Sequence, residues 1–267
     1  MLTFISFGSG SCGNCYYLGS ETESIIIDVG IGIRRLKKTF TEYGIRRGNI
    51  KAILVTHDHS DHIKSAGALS SELGVPVYTT QPIHQGIQRN YTVIQKVAAE
   101  RQTCIEEGQT FEVGGFQITA FPIPHDSTAN VGYFIRHADT TFSIMTDVGR
   151  VTDDVAKHIG LAQYVVLEAN YDVDMLRTGR YPEMLKERIV SGTGHLSNMQ
   201  TAQALADNIH PGLKHVWLCH LSEENNHPEL ARKTVETHLR TYGILAGTDF
   251  KLDVLKRKFV TGPFFLE

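Results

Sequence analysis

Four side chains that can bind a metal ion occur within six consecutive residues, directly after an apolar run. The apolar run covers residues 52–55, and the segment T-H-D-H-S-D-H that follows it contributes His57, His59, Asp61 and His62. This order predicts a strand that delivers ligands into a loop. Burying such groups without partners costs roughly 2–7 kcal/mol each, and a divalent ion removes that cost. Four ligand-type residues behind a buried strand favour a metal site over a solvated loop with chance histidines.

Side chains two residues apart on an extended segment project to the same side. We therefore predict that His57 and His59 share one ion and that Asp61 and His62 turn toward a second. Further ligand-type side chains follow other apolar runs that are predicted to be strands. They are Asp28 after residues 24–27, His125 after 116–121, Asp147 after 141–145, Glu168 and Asn170 in 163–170, and His220 after 213–218. Asp28 is predicted to brace the metal loop rather than to bind an ion.

The glycine-rich segment G-S-G-S-C-G-N-C, residues 8–15, lies between two predicted strands. Its glycines permit positive φ, so backbone N–H groups can point inward and form an anion-binding nest. In that interpretation Ser11 and Asn14 contribute side-chain donors to a substrate. An ordinary hairpin turn explains the same pattern, and the two interpretations stay open. The pair Cys12 and Cys15 has no second C-x-x-C to complete a structural zinc site.

The composition predicts one domain covering residues 1–267, because a chain of this length with 41% hydrophobic residues can bury a sizeable core. The formal net charge of −3 gives no overall basic field, which argues mildly against tight nucleic-acid binding. Two bound dications would add about four positive charges at the site and weaken that argument. The absence of a long apolar run predicts a cytoplasmic protein with no membrane association, and the four scattered cysteines predict reduced thiols. The oligomeric state is left open.

The spacing H-x-H-x-D-H resembles the signature of the metallo-β-lactamase superfamily. That resemblance implies an α/β fold, a four-layer αββα sandwich, with two divalent metal ions. It assigns His57, His59 and His125 to one ion, Asp61, His62 and His220 to the other, and Asp147 to both, with Asp28 in support. These nitrogen and oxygen donors suit Zn²⁺, Mn²⁺ or Fe²⁺, and spacing alone does not choose among them.

A two-metal site activates water and stabilises charge on the attacking and leaving oxygens, so it is suited to hydrolysis. The segment G-H-L-S-N-M-Q-T-A-Q-A-L-A, which begins at residue 194, resembles the histidine-plus-alanine-helix motif of the superfamily's phosphodiesterases. The resemblance makes His195 the proton donor and Glu168 its orienting partner. Asn170, beside them, is a candidate substrate-binding residue. A helix-capping role for His195 is the alternative. His195, Glu168 and Asp61 are therefore the predicted catalytic residues.

The motifs are most similar to those of the small bacterial YycJ/WalJ type, which implies exonuclease action on DNA. Only 72 residues separate Asp147 from His220, too few for the extra domain of the DNA-repair and mRNA-processing nucleases. The alternatives are an RNA-processing nuclease, a hydrolase of a thioester, lactone or cyclic phosphodiester, and a metal-stabilised binding module without activity. Two basic groups are candidates for contacts with a nucleic-acid backbone: Arg34, Arg35, Lys37 and Lys38, and Lys256, Arg257 and Lys258.

Overall fold

The structure is a computed structural model that describes residues 1–267. It contains fourteen strands: β1 Leu2–Gly8, β2 Cys15–Gly19, β3 Ser24–Ile27, β4 Ile50–Leu54, β5 Val77–Thr79, β6 Gln102–Cys104, β7 Thr110–Val113, β8 Phe116–Pro122, β9 Val131–His137, β10 Thr140–Met145, β11 Tyr164–Glu168, β12 His215–Cys219, β13 Lys251–Val254 and β14 Thr261–Leu266. The nine α-helices are α1 Ile33–Glu42, α2 Ser60–Ile63, α3 Ala66–Leu73, α4 Gln81–Arg89, α5 Asp153–Leu161, α6 Val173–Thr178, α7 Glu183–Val190, α8 Asn198–Asn208 and α9 Pro228–Thr241.

The strands form two seven-stranded sheets with matching organisation. The first sheet has the order β14-β1-β2-β3-β4-β5-β6, and the second has the order β13-β12-β11-β10-β9-β8-β7. In each sheet one half is antiparallel and the other half is parallel. Because parallel strands end at the same edge, the loops that follow β3, β4, β10, β11 and β12 collect along one side of the molecule.

The core follows the two-residue period of the strands. In β12, Trp217 and Cys219 face the interior between the sheets, while Val216 and Leu218 face the outer layer that contains α5, α8 and α9. The helices α1, α3 and α4 pack on the first sheet through side chains such as Leu36. The predicted four-layer αββα sandwich is thus confirmed.

Three residues at the ligand-bearing edge adopt left-handed backbone conformations. Asp28 has φ 57°, Asp147 has φ 56° and His220 has φ 53°, and each lies one or two residues after the end of a strand. Such conformations cost of order 1–3 kcal/mol outside glycine and concentrate at functional sites. The abrupt change of direction carries each side chain from its sheet into the space at the shared edge.

Some boundaries differ from those that the sequence pattern predicts. The residues from 63 onward predict one helix, but α2 and α3 divide this segment, and a last strand is predicted at 258–261 but covers Thr261–Leu266. Asn226 is the predicted start of the last helix, but His227 caps α9, and the Asn226 amide instead donates to the carbonyl groups of Ala169 and Asn170. None of the helices combines the length and apolar character needed to cross a bilayer, and all four cysteines are free thiols.

Candidate metal centre

The seven predicted metal ligands lie together at the shared edge of the two sheets. Each group of three described below has its ligand atoms within 4.8 Å of one another. One group is His57, His59 and His125, the second is Asp61, His62 and His220, and the third, which includes Asp147, is His57, His62 and Asp147. The geometry therefore offers two adjacent ion positions with Asp147 near both groups.

One nitrogen of each of these five histidines has a protein acceptor, which leaves the other nitrogen for an ion. This arrangement is typical of metal-binding histidines, because the second hydrogen bond fixes the tautomer and the ring orientation. The acceptors are the Thr56 hydroxyl for His57 Nδ1, the Asp126 carbonyl for His59 Nε2, the Gly194 carbonyl for His125 Nδ1, Asp28 for His62 Nδ1 and Glu168 for His220 Nδ1.

The remaining nitrogens fit a cation. His57 Nε2 and His220 Nε2 are buried and have no hydrogen-bond partner. His125 Nε2 lies 3.3 Å from His59 Nδ1, although both nitrogens are acceptors in the tautomers just described. Acceptors facing one another at this distance are explained by a cation that both of them contact.

The carboxylates at the centre create an environment that favours positive charge. Burial alone would lower the pKa of His62, but Asp147, Asp28 and Asp61 outweigh it and hold that pKa well above its ordinary value. His62 Nε2 lies 3.2 Å from Asp147 Oδ2 and 3.6 Å from Asp61 Oδ2. Nitrogen and carboxylate donors of this kind suit Zn²⁺ and Mn²⁺, so the residues present fit the divalent ions predicted from the sequence.

Asp28 contacts the centre through His62. Its Oδ2 accepts a 2.7 Å hydrogen bond from His62 Nδ1, and its two oxygens also accept from the backbone N–H and the hydroxyl of Thr56 at 2.9 and 2.8 Å. The carboxylate is completely buried. These contacts give Asp28 the bracing position that its place after β3 predicted.

Asn14 is not available to a substrate, contrary to the nest interpretation. Its side chain is completely buried, and Nδ2 lies 3.2 Å from Asp61 Oδ2 and 2.8 Å from His62 Nε2. The turn at Gly10 and Gly13, both with positive φ, rotates the amide inward. Asn14 therefore supports the metal ligands, whereas Ser11 is exposed and lines the cleft described below.

Glu168 connects a metal ligand to the predicted proton donor. Its Oε1 accepts from His195 Nδ1 at 2.8 Å and from His220 Nδ1 at 3.1 Å. Its Oε2 accepts the backbone N–H groups of Val148 and Leu196 at 2.8 and 3.1 Å. A carboxylate with four donors is fixed in orientation, and it fixes both imidazole rings in turn.

The surroundings of His195 favour the protonated form that a general acid needs. Burial would lower its pKa, but the neighbouring carboxylates Glu168 and Asp147 raise the pKa above its ordinary value. Since Nδ1 is used by Glu168, Nε2 is the atom left to donate a proton. Ser197, two residues on, is the N-cap of α8 and forms a complete capping box with Gln200, so the helix is capped without His195.

A cleft of about 200 Å³ opens beside the centre. Its lining includes two of the predicted substrate residues, Ser11 and Asn170, together with His195, His220 and Ser222. Asn170 also donates to the His220 carbonyl at 2.8 Å. Helix α7 and the loop before it supply the opposite wall through Tyr181, Leu185, Arg188 and Ile189.

Arg188 and Asp126 form a pair beside the cleft that no prediction from the sequence included. Arg188 Nε donates to Asp126 Oδ2, and the two terminal nitrogens of the guanidinium make no hydrogen bond. Asp126 follows the ligand His125, and its Oδ1 lies 3.5 Å from His125 Nε2. Proximity to His125 could have drawn attention to Asp126, but Arg188 is 62 residues away in the sequence and no motif marks it.

The two packed sheets and the histidine and aspartate cluster at their edge define a metal-dependent hydrolase fold, and the chain belongs to the β-lactamase superfamily. The family model "Beta-lactamase superfamily domain" matches residues 23–221. Exodeoxyribonuclease WalJ of Streptococcus pneumoniae D39 is 35% identical over 244 residues, covering 91% of this chain and 90% of the relative. Exodeoxyribonuclease YycJ of Bacillus anthracis is 33% identical over 251 residues, covering 94% of each. These matches confirm the resemblance predicted from the motifs.

Solved structures show the same fold. Zn²⁺-bound PqqB from Methylobacterium extorquens superposes with a TM-score of 0.71 at 19% identity, covering 98% of this chain and all of that one. YhfI from Bacillus subtilis, titled a metallo-β-lactamase fold protein, also gives a TM-score of 0.71, at 17% identity, covering 98% of this chain and 99% of that one.

Proposed function

We propose that this protein is a metal-dependent exodeoxyribonuclease that hydrolyses phosphodiester bonds of DNA. The observation that carries the proposal is the contact between His195 and Glu168 at the edge of the metal centre. A phosphodiester releases a poor alkoxide leaving group, so its cleavage benefits from a positioned proton donor. The similarity to two proteins named exodeoxyribonucleases supports DNA as the substrate.

Two divalent ions, Zn²⁺ or Mn²⁺, would be held by His57, His59 and His125 and by Asp61, His62 and His220, with Asp147 shared. When bound, they lower the pKa of water and neutralise charge on the attacking and leaving oxygens. Asp28 and Asn14 keep the ligands of the second ion in place through their contacts with His62 and Asp61.

The protein's own part in bond cleavage is a proton transfer. His195 Nε2 gives a proton to the departing oxygen while Nδ1 stays hydrogen-bonded to Glu168. Glu168 remains ionised, since the histidines that contact it lower its pKa despite its burial. Ser11 and Asn170 line the cleft on the same side as His195 and are proposed to contact the substrate phosphate.

The proposal includes one domain for residues 1–267 and action on DNA in the cytoplasm. Residues 261–266 support the first point, because the C-terminal strand β14 pairs with the N-terminal strand β1. The four free cysteines suit a reducing compartment.

The test is cleavage of end-labelled single-stranded and duplex DNA, precursor tRNA, a thioester and bis(p-nitrophenyl) phosphate by protein loaded with Zn²⁺ or Mn²⁺. We expect stepwise shortening of DNA. His59→Ala removes a metal ligand and should abolish all hydrolysis. His195→Ala should lower DNA cleavage by about 10²–10⁴-fold but affect the p-nitrophenyl ester far less, because p-nitrophenolate leaves without a proton.

His238→Ala is the matched control, since this histidine lies on α9 and contacts Gln203 rather than the centre. It should behave as the unaltered protein. Thioester turnover without DNA cleavage would refute the proposed function. Equal losses of DNA and p-nitrophenyl ester hydrolysis in His195→Ala would refute the proton-donor role.

A further inference from the structure

A second depression is lined in part by Lys64 and Ser65, which directly follow the helix that carries Asp61 and His62. It has a volume of about 540 Å³ and lies between the beginning of α1, the beginning of α3 and the segment after α4. We call it the basic groove, and the residues that define it are Arg34, Arg35, Lys64, Ser65, Thr92 and Ile94.

The basic groove carries three cationic side chains, and no acidic residue lines it. Arg34 and Lys64 are exposed and make no ion pair. By contrast, Lys37 and Lys38 on the same helix pair with Glu72 at 2.7 Å and Glu42 at 3.5 Å. On α1, the charges of Lys37 and Lys38 are therefore paired with carboxylates, whereas the charge of Arg34 is available to a ligand.

Two further observations indicate a defined binding site rather than a chance collection of charges. Arg35 donates from Nη2 to the Phe7 carbonyl at 2.9 Å and to the Lys258 carbonyl, so its guanidinium is held in position. Ser65 is only 6% exposed and lines the groove, but its side chain makes no hydrogen bond, not even as the N-cap of α3. A serine with so little exposed surface, whose hydroxyl has no protein partner, is suited to donate to a ligand oxygen.

Short hydrogen bonds connect the groove to the metal loop. Val29 N donates to the His62 carbonyl at 2.7 Å, and Ser65 N donates to the Val29 carbonyl at 2.8 Å. Thr92 Oγ1 donates to Ser60 Oγ at 2.9 Å. Lys64 is only two residues from His62 in the sequence, so the groove adjoins the segment that carries the metal ligands.

We propose that the basic groove binds the sugar-phosphate backbone of a single nucleic-acid strand that extends from the metal centre. This inference rests on the proposed nuclease function. Cationic grooves with exposed aromatic side chains are typical of single-strand binding. Ile94, which lines the groove, is 95% exposed. Tyr91 precedes the lining residue Thr92 and is 93% exposed, so an aromatic surface is available to unstacked bases beside the groove.

The test uses three groove variants, Arg34→Gln, Lys64→Gln and the double variant that combines them. The control is Lys38→Gln, which removes one charge from α1 outside the groove. The rate constant kcat/KM is measured on a single-stranded oligodeoxythymidylate, on duplex DNA and on bis(p-nitrophenyl) phosphate over a range of salt. Each lost phosphate contact on a single strand reduces the salt slope by about 0.7. For the double variant, the decrease in kcat/KM between about 50 and 200 mM salt should therefore be about sevenfold smaller than for the unaltered protein.

We expect the groove variants to lower oligonucleotide cleavage while hydrolysis of the small ester stays unchanged, and Lys38→Gln to match the unaltered protein. Ser65→Ala should weaken oligonucleotide cleavage without changing the salt slope, because it removes no charge. If the groove variants have the same salt slope as Lys38→Gln, the inference is overturned while the nuclease function stands. If kcat/KM falls only on duplex DNA, the assignment to a single strand is overturned. If the unaltered protein hydrolyses the ester but no nucleic acid, the proposed function fails and this inference falls with it.

Discussion

Replacing Asp28 with asparagine should weaken one metal site through the tautomer of His62. Asparagine has nearly the same shape and tolerates the left-handed φ of 57° at this position, so the backbone is preserved. The carboxylate accepts three hydrogen bonds, two from Thr56 and one from His62 Nδ1. With the asparagine oxygen on Thr56 N, its NH₂ group faces His62 Nδ1. Nδ1 must then accept, which moves the ring proton to Nε2, the nitrogen proposed to bind the ion.

The expected loss of metal affinity can be taken from other metal sites. Losing the hydrogen-bond partner of a metal-binding histidine typically lowers metal affinity by 10–100-fold, or about 1.4–2.7 kcal/mol. The effect should fall on the ion held by Asp61, His62 and His220. The ligands His57, His59 and His125 have other acceptors and should keep their ion.

The assay is competition with a chelator for Zn²⁺, with metal content measured after dialysis. Asp253→Asn is the matched control, because Asp253 accepts a 2.8 Å hydrogen bond from His215 Nε2 away from the metal centre. Asp28→Asn should retain one ion firmly and lose the second, while Asp253→Asn keeps both. Two ions bound to Asp28→Asn with unchanged affinity would refute the tautomer argument.

Two other substitutions test the surroundings of the centre. Gly30→Ala should displace the metal loop and lower both metal content and thermal stability, because a Cβ there would lie 1.6 Å from the Asp61 carbonyl oxygen. The control is Gly32→Ala, whose Cβ would meet nothing within 4 Å. Equal metal content and thermal stability of the two variants would contradict the prediction. Arg188 lines the cleft and has two terminal nitrogens without a hydrogen bond, so we expect it to donate to a substrate phosphate. Arg188→Ala should then lower kcat/KM on DNA by about 10–100-fold, the range for losing a hydrogen bond between charged groups. Arg177→Ala, on the exposed face of α6, is the control and should leave kcat/KM unchanged; an unchanged kcat/KM for Arg188→Ala would exclude the phosphate contact.

The sequence predicted which side chains lie together at the centre because each of them follows a buried strand. In a parallel arrangement the ends of such strands share one edge, so the order of apolar runs nearly determines which side chains meet. His125 and His220, far apart in the chain, could therefore be assigned to one centre. The prediction needed the strands and their order, not the details of packing.

Other features depended on contacts that no local pattern records. Helices α6 and α7 cover only a small cluster of three buried residues, Tyr171, Leu176 and Ile189, so their sequences carry little apolar periodicity. The inward rotation of Asn14 follows from the turn geometry of its loop, and the pattern G-S-G-S did not distinguish it from an exposed donor. The contact of Glu168 with both His195 and His220 became visible only with the rings in place.

The metal centre draws its ligands from both sheets, and this has a mechanical consequence. His57 follows β4 of the first sheet and His220 follows β12 of the second, with 162 residues between them. Ions shared across that edge would act as a cross-link that closes a very long loop, and closing a flexible loop of that length costs about 4–5 kcal/mol in chain entropy. Metal loading and the docking of the two halves would then be one cooperative event, so a protease should cut the loaded protein far more slowly than the stripped one.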